Sequence, residues 1–165
     1  MFNEIEWASA WPALAGTAYL VAVSPRLTTI DLRERRLPNR LVLPAIPVTM
    51  AGQAVAAALG ASDWNRPLSA LVAAALVFAF GVFANVKGQL GMGDAKLMAA
   101  MTLSLGWFSP ILPFVALLTA FVAAGGFVLL QTVRMRPALA SSLALGPYLL
   151  LGNVVAAAAL FILLA

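Results

Sequence analysis

Two aspartates, Asp31 and Asp94, are the residues of this chain whose types and settings are best suited to chemistry. The chain has no histidine and no cysteine, so the commonest neutral-pH base, the commonest metal ligand and all thiol chemistry are missing. Two carboxyls held close together cannot both ionise comfortably, so they share one proton and can act as a general acid and a general base. The chemistry of this chain must therefore use carboxylates, lysine or hydroxyl groups, and we expect no metal and no other cofactor.

Asp94 lies in the stretch LGMGDAKLMAAM, residues 90–101, directly after Gly91 and Gly93. An ionisable side chain at membrane depth is costly and indicates a function by default. Glycine allows a positive φ and lets another chain approach closely, as the binding of a peptide beside a carboxylate would require. Two plainer interpretations stay open: Asp94 as a helix N-cap, and the glycines as a flexible turn.

Asp31 stands at the start of a basic stretch, DLRERRLPN, whose other acid is Glu34. Asp31 adjoins the apolar end of the first hydrophobic segment, whereas Glu34 lies among arginines that should keep it ionised, so we prefer Asp31 as the second carboxylate. Pro38 and Asn39 are expected to turn the chain and cap the next helix. The upstream Arg26 leaves open whether Asp31 lies on a helix end or on a solvated loop.

The composition indicates a membrane protein, because 63% of the 165 residues are hydrophobic and only 10% are charged. A bilayer core about 30 Å thick needs about 20 apolar residues of helix. We predict an all-α, polytopic membrane protein: a six-transmembrane-helix bundle that forms a single domain over residues 1–165. The predicted spans are residues 8–29, 41–60, 68–86, 94–108, 110–131 and 138–163.

Lysine and arginine concentrate in the first, third and fifth gaps between these spans, with one arginine in the second gap and none in the fourth. By the positive-inside rule, the odd-numbered gaps face the cytosol. Both termini are then outside the cytosol, and Asp31 and Asp94 lie at the same cytosolic face. Basic residues confined to such short gaps favour contact with membrane lipids over nucleic acid. The N-terminus lacks the positive region of a cleavable signal, so we expect the first segment to be retained.

Three motifs resemble those of the type IV prepilin peptidases, intramembrane aspartyl proteases of the Gly-x-Gly-Asp class. Two of them are DLRERRLPN at 31–39 and GMGDAKL at 91–97. The third, LGPYL at 145–149, is similar to the Gly-Pro-aromatic segment of that family and adds Gly146 and Pro147 to the candidate site. The resemblance covers residues 20–152.

The resemblance implies that Asp31 and Asp94 are the catalytic pair. It also implies a prepilin substrate with a short basic leader that ends in glycine, cleaved at the cytosolic face of the bacterial inner membrane. Larger family members carry paired cysteines and a methyltransferase activity. This chain, which has no cysteine, resembles the short, peptidase-only form similar to those that serve Flp or tight-adherence pili.

The remaining candidate residues are expected to bind substrate or to shape the loops around it. Lys96 either stabilises negative charge that develops at the pair or anchors the chain to headgroups, and we favour the anchor. The arginines of the first loop are expected to bind anionic headgroups, and Asn153 and Ser141-Ser142 to form interhelical hydrogen bonds. The oligomeric state stays open. The candidate substrate and loop residues are Gly91, Gly93, Lys96, Pro38, Asn39, Gly146 and Pro147.

Two other functions remain as alternatives. A proton- or ion-coupled carrier would also use carboxylates in a membrane, but carriers place such sites near the bilayer midplane, whereas both aspartates here are expected at one face. A non-catalytic assembly subunit of a secretion or pilus machine would keep its function after either aspartate was replaced by asparagine.

Overall fold

The computed structural model describes residues 10–60, 64–134 and 144–164, and every regular element in these ranges is helical. This confirms the all-α prediction. A 3₁₀ turn at Trp11–Leu14 precedes the first α-helix. The helices are α1 (Ala15–Glu34), α2 (Asn39–Val42), α3 (Ala45–Leu59), α4 (Asn65–Val86), α5 (Met92–Gly106), α6 (Ile111–Val133) and α7 (Gly146–Leu164).

The six predicted hydrophobic segments correspond to helices of unequal length and polarity. Three helical stretches are long and apolar enough to cross a membrane, Asn39–Leu59, Asn65–Val86 and Ile111–Val133, and Gly146–Ile162 is a shorter apolar helix. α5 has only 15 residues, about 22 Å of helix against a hydrocarbon core of about 30 Å. The described residues thus form a helical membrane bundle, and the two helices that carry the aspartates, α1 and α5, are outside those three stretches.

α1 extends five residues beyond the predicted end of the first span. It continues through Pro25 to Glu34, and Pro within apolar helices is tolerated where neighbouring groups satisfy the freed carbonyl. The helix ends where Arg35 takes the left-handed conformation, with φ of 53°, and donates its backbone N–H to the Asp31 carbonyl. Asp31 therefore lies in the last turn of a helix, and the loop alternative for it is wrong.

α5 begins two residues before Asp94, where the predicted span begins. Gly91 is the N-cap, and Asp94 is the third helical residue and the acid of the first turn. The interpretation of Asp94 as an N-cap is therefore wrong. α5 ends at Gly106, and Pro110 is the N-cap of α6, so the two helices are separate.

α5 is the central helix of the bundle, since all its residues from Leu97 to Leu105 are buried. A helix that is buried on every side is surrounded by other helices. α4 packs closely against it because small residues meet along the seam: a Cβ on Gly81 would lie 2.6 Å from the Cβ of Ala95. Asp94 is thus placed on the most enclosed element of the fold.

Asn153 on α7 does not form the interhelical hydrogen bond expected of it. Its side chain is 1% exposed, and neither its amide nitrogen nor its amide oxygen has a partner among the described residues. Ser141-Ser142 lie outside the described residues. The interhelical bond expected of Asn153 is therefore absent from the part of the bundle that the structure describes.

Candidate active site

Asp31 and Asp94 line one cavity of about 290 Å³, where the end of α1 meets the start of α5. Asp31 is 4% exposed, and Asp94 is partly buried. Two aspartates far apart in sequence thus share one small cavity. The other residues that line it are Arg35, Arg36, Leu37, Gly91, Met92 and Gly93.

The Asp31 carboxylate is held by the first residue of α7. The backbone N–H of Gly146 donates a hydrogen bond of 3.0 Å to Oδ2 of Asp31. A Cβ on Gly146 would lie only 2.6 Å from that same oxygen, closer than real Cβ atoms approach a neighbour. Glycine is therefore needed at position 146 for the backbone to reach the carboxylate.

The Asp94 carboxylate is held in a similar way, by a glycine at the start of its own helix. The backbone N–H of Gly91 donates to it, and a Cβ on Gly91 would lie 2.8 Å from Oδ2 of Asp94. A side chain at the third helical position that reaches back to the N-cap N–H is half of a capping box. Each carboxylate therefore accepts a hydrogen bond from the backbone of a glycine.

The two aspartates share one electrostatic environment, at helix ends outside the three membrane-spanning stretches. Burial raises the pKa of Asp31, and the Gly146 hydrogen bond opposes that rise. Burial, and then the negative charge of Asp31, raise the pKa of Asp94 to about 6, against the effect of the Gly91 hydrogen bond. Two carboxyls coupled in this way titrate as a pair and hold one proton between them over a range of pH.

The first residue of α2 is hydrogen-bonded to the second turn of α5. Lys96 Nζ donates a hydrogen bond of 3.0 Å to Oδ1 of Asn39. Pro38 is the N-cap of α2 and has extended backbone, with ψ of 125°, and Asn39 is the first helical residue. The expectation that Asn39 caps this helix is therefore wrong, because its side chain binds Lys96 instead. Lys96 thus connects two elements beside the cavity, a contact that neither of its two sequence-based roles includes.

Leu37 is the site residue that sequence reasoning missed. It packs so closely on Gly93 that a Cβ there would lie 2.9 Å from the Leu37 Cβ, and its Cδ2 lies 3.2 Å from where a Cβ on Gly146 would be. Leu37 therefore fills the space between the glycine segments of α5 and α7. The signal that could have found it is its place beside Pro38 and Asn39, in a motif that was already singled out.

Of the candidate residues, Asp31, Asp94, Gly91 and Gly93 line this cavity. Gly146 contacts Asp31 through its hydrogen bond, and Lys96 contacts Asn39. Pro38, Asn39, Lys96 and Pro147 are not among the residues that line the cavity. Among residues 10–60, 64–134 and 144–164, no group of three or more histidine, cysteine, aspartate or glutamate side chains could hold a metal ion. The chemistry that the cavity's own side chains offer is proton transfer by two carboxyls, beside two arginines.

Comparison with known proteins gives one family and several curated relatives. Residues 16–130 match the type IV leader peptidase family. The chain is 33% identical over 156 residues to a protein of Aeromonas hydrophila named prepilin leader peptidase/N-methyltransferase, covering 90% of this chain and 50% of that protein. It is 31% identical over 133 residues to a protein of the same name from Escherichia coli K12, covering 78% of this chain and 56% of the relative.

The chain thus spans about half the length of the curated relatives that it matches. No solved structure matches the chain significantly. The matched region includes both Asp31 and Asp94 but stops before Gly146.

Proposed function

The chain belongs to the type IV leader peptidase family, and from this premise we propose that it is an intramembrane aspartyl endopeptidase that removes the leader peptide of type IV prepilins. The observation that carries the proposal is the shared cavity of Asp31 and Asp94, in which burial and the negative charge of Asp31 raise the pKa of Asp94 to about 6. Such a pair can hold one proton, and one proton shared by two carboxyls is the arrangement that aspartic proteases use to hydrolyse peptide bonds.

The proposed reaction needs only water and the two carboxyls. The ionised carboxyl takes a proton from water as the water oxygen attacks the scissile carbonyl carbon, while the protonated carboxyl donates its proton to the carbonyl oxygen. The tetrahedral intermediate then collapses: the C–N bond breaks, the first carboxyl gives its proton to the leaving amine, and the second recovers a proton as the carbonyl re-forms. Both carboxyls end in their starting states.

The proposal places the active site at the cytosolic face of a multi-pass protein of the bacterial inner membrane, with both termini outside the cytosol. Arg35 and Arg36 line the same cavity as the aspartates, and the positive-inside rule assigns an arginine-rich helix end to the cytosol. Anionic lipid headgroups are then the natural partners of these arginines. A prepilin whose hydrophobic segment lies in the membrane would present its leader at the same face.

The finer parts of the proposal concern substrate class and activity. We assign the substrate to the Flp-like prepilins and the activity to the peptidase alone, because these 165 residues carry none of the paired cysteines that the resemblance associates with the methyltransferase form. Cleavage of a Flp-type prepilin tests the substrate class. The mass of the processed pilin tests the activity, since N-methylation adds a methyl group to the new N-terminus.

The deciding experiment is cleavage of a Flp-type prepilin by the purified protein in proteoliposomes, followed by mass spectrometry. Asp31→Asn and Asp94→Asn should each abolish cleavage, because an amide cannot share the proton. Glu34→Gln is the matched control, an exposed acid in the same helical turn as Asp31, and it should cleave at the wild-type rate. Wild-type processing by either asparagine variant, or its loss in Glu34→Gln, would exclude the proposal. Asp94-dependent ion uptake without cleavage would favour a carrier.

A further inference from the structure

The hydrogen bond from Gly146 to Asp31 joins two residues that are 115 positions apart and lie on different helices. The first turn of α7 offers three backbone N–H groups, because Pro147 has none. Those of Tyr148 and Leu149 both donate to the Leu145 carbonyl. The N–H of Gly146 is thus the donor of this turn that points out of the helix, and it meets the buried carboxylate of Asp31.

This donor favours the charged form of the carboxyl that it meets. A backbone N–H at a helix N-terminus carries part of the positive end of the helix dipole, so it stabilises an anion more than a neutral acid. The charged side chains around the Asp31 carboxyl are Arg35 and Arg36 from the loop and Asp94 from α5. α7 itself has no charged side chain along its length, so it stabilises the ionised form of Asp31 through its backbone.

We infer that Gly146 is a positioning residue of the proposed peptidase: its backbone N–H fixes Oδ2 of Asp31 and keeps Asp31 the ionised member of the pair, so that the shared proton resides on Asp94. In the proposed reaction, Asp31 then takes the proton from water and Asp94 donates to the scissile carbonyl. This assignment of base and acid rests on the proposed function. The order in which the two aspartates ionise does not, because it is a property of the protein without substrate.

The close approach at Gly146 is the geometric observation that carries the inference, because a Cβ there would lie 2.6 Å from Oδ2 and would displace the carboxylate. Burial, and then the negative charge of Asp31, raise the pKa of Asp94 to about 6.

The sharpest test replaces Gly146 with glycolic acid by nonsense suppression, which exchanges the N–H for an ester oxygen and adds no atom beside Asp31. The measurement is kcat/KM for cleavage of a prepilin peptide in detergent micelles as a function of pH. A hydrogen bond to a charged group changes an equilibrium by roughly tenfold or more, so the acid limb should move upward by about one pH unit while the alkaline limb stays in place. Gly146→Ala, which displaces the carboxylate sterically, should move the same limb.

Two matched glycine variants separate this effect from structural damage. Gly152→Ala, in the same helix, would press on the backbone carbonyl of Ala116, whereas Gly125→Ala meets open space. The first should lower the midpoint of thermal unfolding without moving either pH limb, and the second should change neither. If the glycolic acid variant moves neither limb, or moves the alkaline limb, the inference is overturned.

A second readout does not depend on cleavage. Carbon-13 NMR of aspartate carboxyls, assigned with Asp31→Asn and Asp94→Asn, should show that Asp31 ionises before Asp94 and that its titration moves to higher pH in the glycolic acid variant. Wild-type protein that does not cleave any prepilin peptide would contradict the proposed function, and this titration would still decide the inference. An Asp31 that ionises after Asp94 would overturn it.

Discussion

Lys96 on α5 reaches across to Asn39 at the start of α2, with Nζ 3.0 Å from the side-chain oxygen Oδ1. The contact spans 57 residues of sequence and joins the helix that carries Asp94 to the loop that follows Asp31. It therefore couples the two chain segments whose meeting creates the cavity.

Loss of this contact should weaken the proposed peptidase without removing its chemistry. We expect Lys96→Met to lower kcat/KM several-fold, because the start of α2 loses a hydrogen bond worth about 1 kcal/mol. A double-mutant cycle with Asn39→Ala measures the coupling in thermal or denaturant unfolding. Asn39→Asp, which keeps an acceptor for Lys96, should retain near-wild-type activity. Additive effects of the two single variants would show that the contact stabilises nothing.

Because the pair must hold one proton, the rate of cleavage should fall as the pH rises, and this fall should begin at a mildly acidic pH. Below the pKa of Asp94, which is raised to about 6, the pair holds one proton; above it, both carboxyls are ionised and the acid is lost. For the free enzyme, kcat/KM should therefore fall about tenfold per pH unit above that value. The limb in kcat should lie higher, since bound substrate excludes water and raises the pKa further. Rates measured from pH 4 to 9 test this, with exposed Glu34→Gln as the control. A kcat/KM that stays constant from pH 5 to 9 would contradict it.

The same shift predicts how stability depends on pH. The folded pKa of Asp94 lies above the model-compound value of 3.8, so the folded protein binds the proton more tightly than the unfolded chain. That contribution to stability is complete below pH 3.8 and is lost as the pH rises through about 6. Asp94→Asn, which is neutral at every pH, should therefore unfold at a higher temperature than the wild type at pH 8. An equal or lower midpoint for this variant would show that the buried charge has no such cost.

The parts of this structure that follow from local sequence were predictable. Runs of apolar residues predicted the helices, although the span predicted from Asp94 begins two residues after the observed start of α5. The absence of histidine and cysteine left carboxylates, lysine and hydroxyls as the candidate groups, and the settings of Asp31 and Asp94 singled out these two carboxylates. The family confirmed by comparison was indicated by two motifs around these aspartates.

Other parts depend on tertiary contacts that carry no local signal. Arg26 left the end of α1 open, and the helix continues past it to Glu34, where Arg35 forms a left-handed C-cap. The resemblance placed Gly146 in the site, but its role depends on a hydrogen bond to Asp31 from the far end of the sequence.

The close contact between Gly93 and Leu37 predicts a steric defect that a second substitution repairs. A Cβ on Gly93 would lie 2.9 Å from the Cβ of Leu37, so Gly93→Ala should push the loop away from α5 and lower cleavage about tenfold or more, a cost in the range that overpacking produces. Trimming the neighbour in the Gly93→Ala/Leu37→Ala double variant should recover part of that activity. Gly125→Ala, with nothing within 4 Å of its Cβ, is the matched control and should cleave normally. A double variant no more active than Gly93→Ala would mean that Leu37 is not the obstacle.

The amide of Asn153, which has no hydrogen-bond partner among the described residues, predicts a stabilising substitution away from the carboxylate pair. A buried polar group without a hydrogen bond costs roughly 1–3 kcal/mol, and an apolar side chain of similar shape removes that cost. We therefore expect Asn153→Leu to raise the midpoint of thermal unfolding in detergent while the pH profile of cleavage stays unchanged. Asn153→Asp should act in the opposite direction, because a charge at this 1% exposed position would have to be neutralised or hydrated. If Asn153→Leu lowered the unfolding midpoint, the amide would have a stabilising partner in the folded protein. If the substitution shifted the pH profile of cleavage, α7 would couple Asn153 to Asp31 through the turn that begins at Gly146.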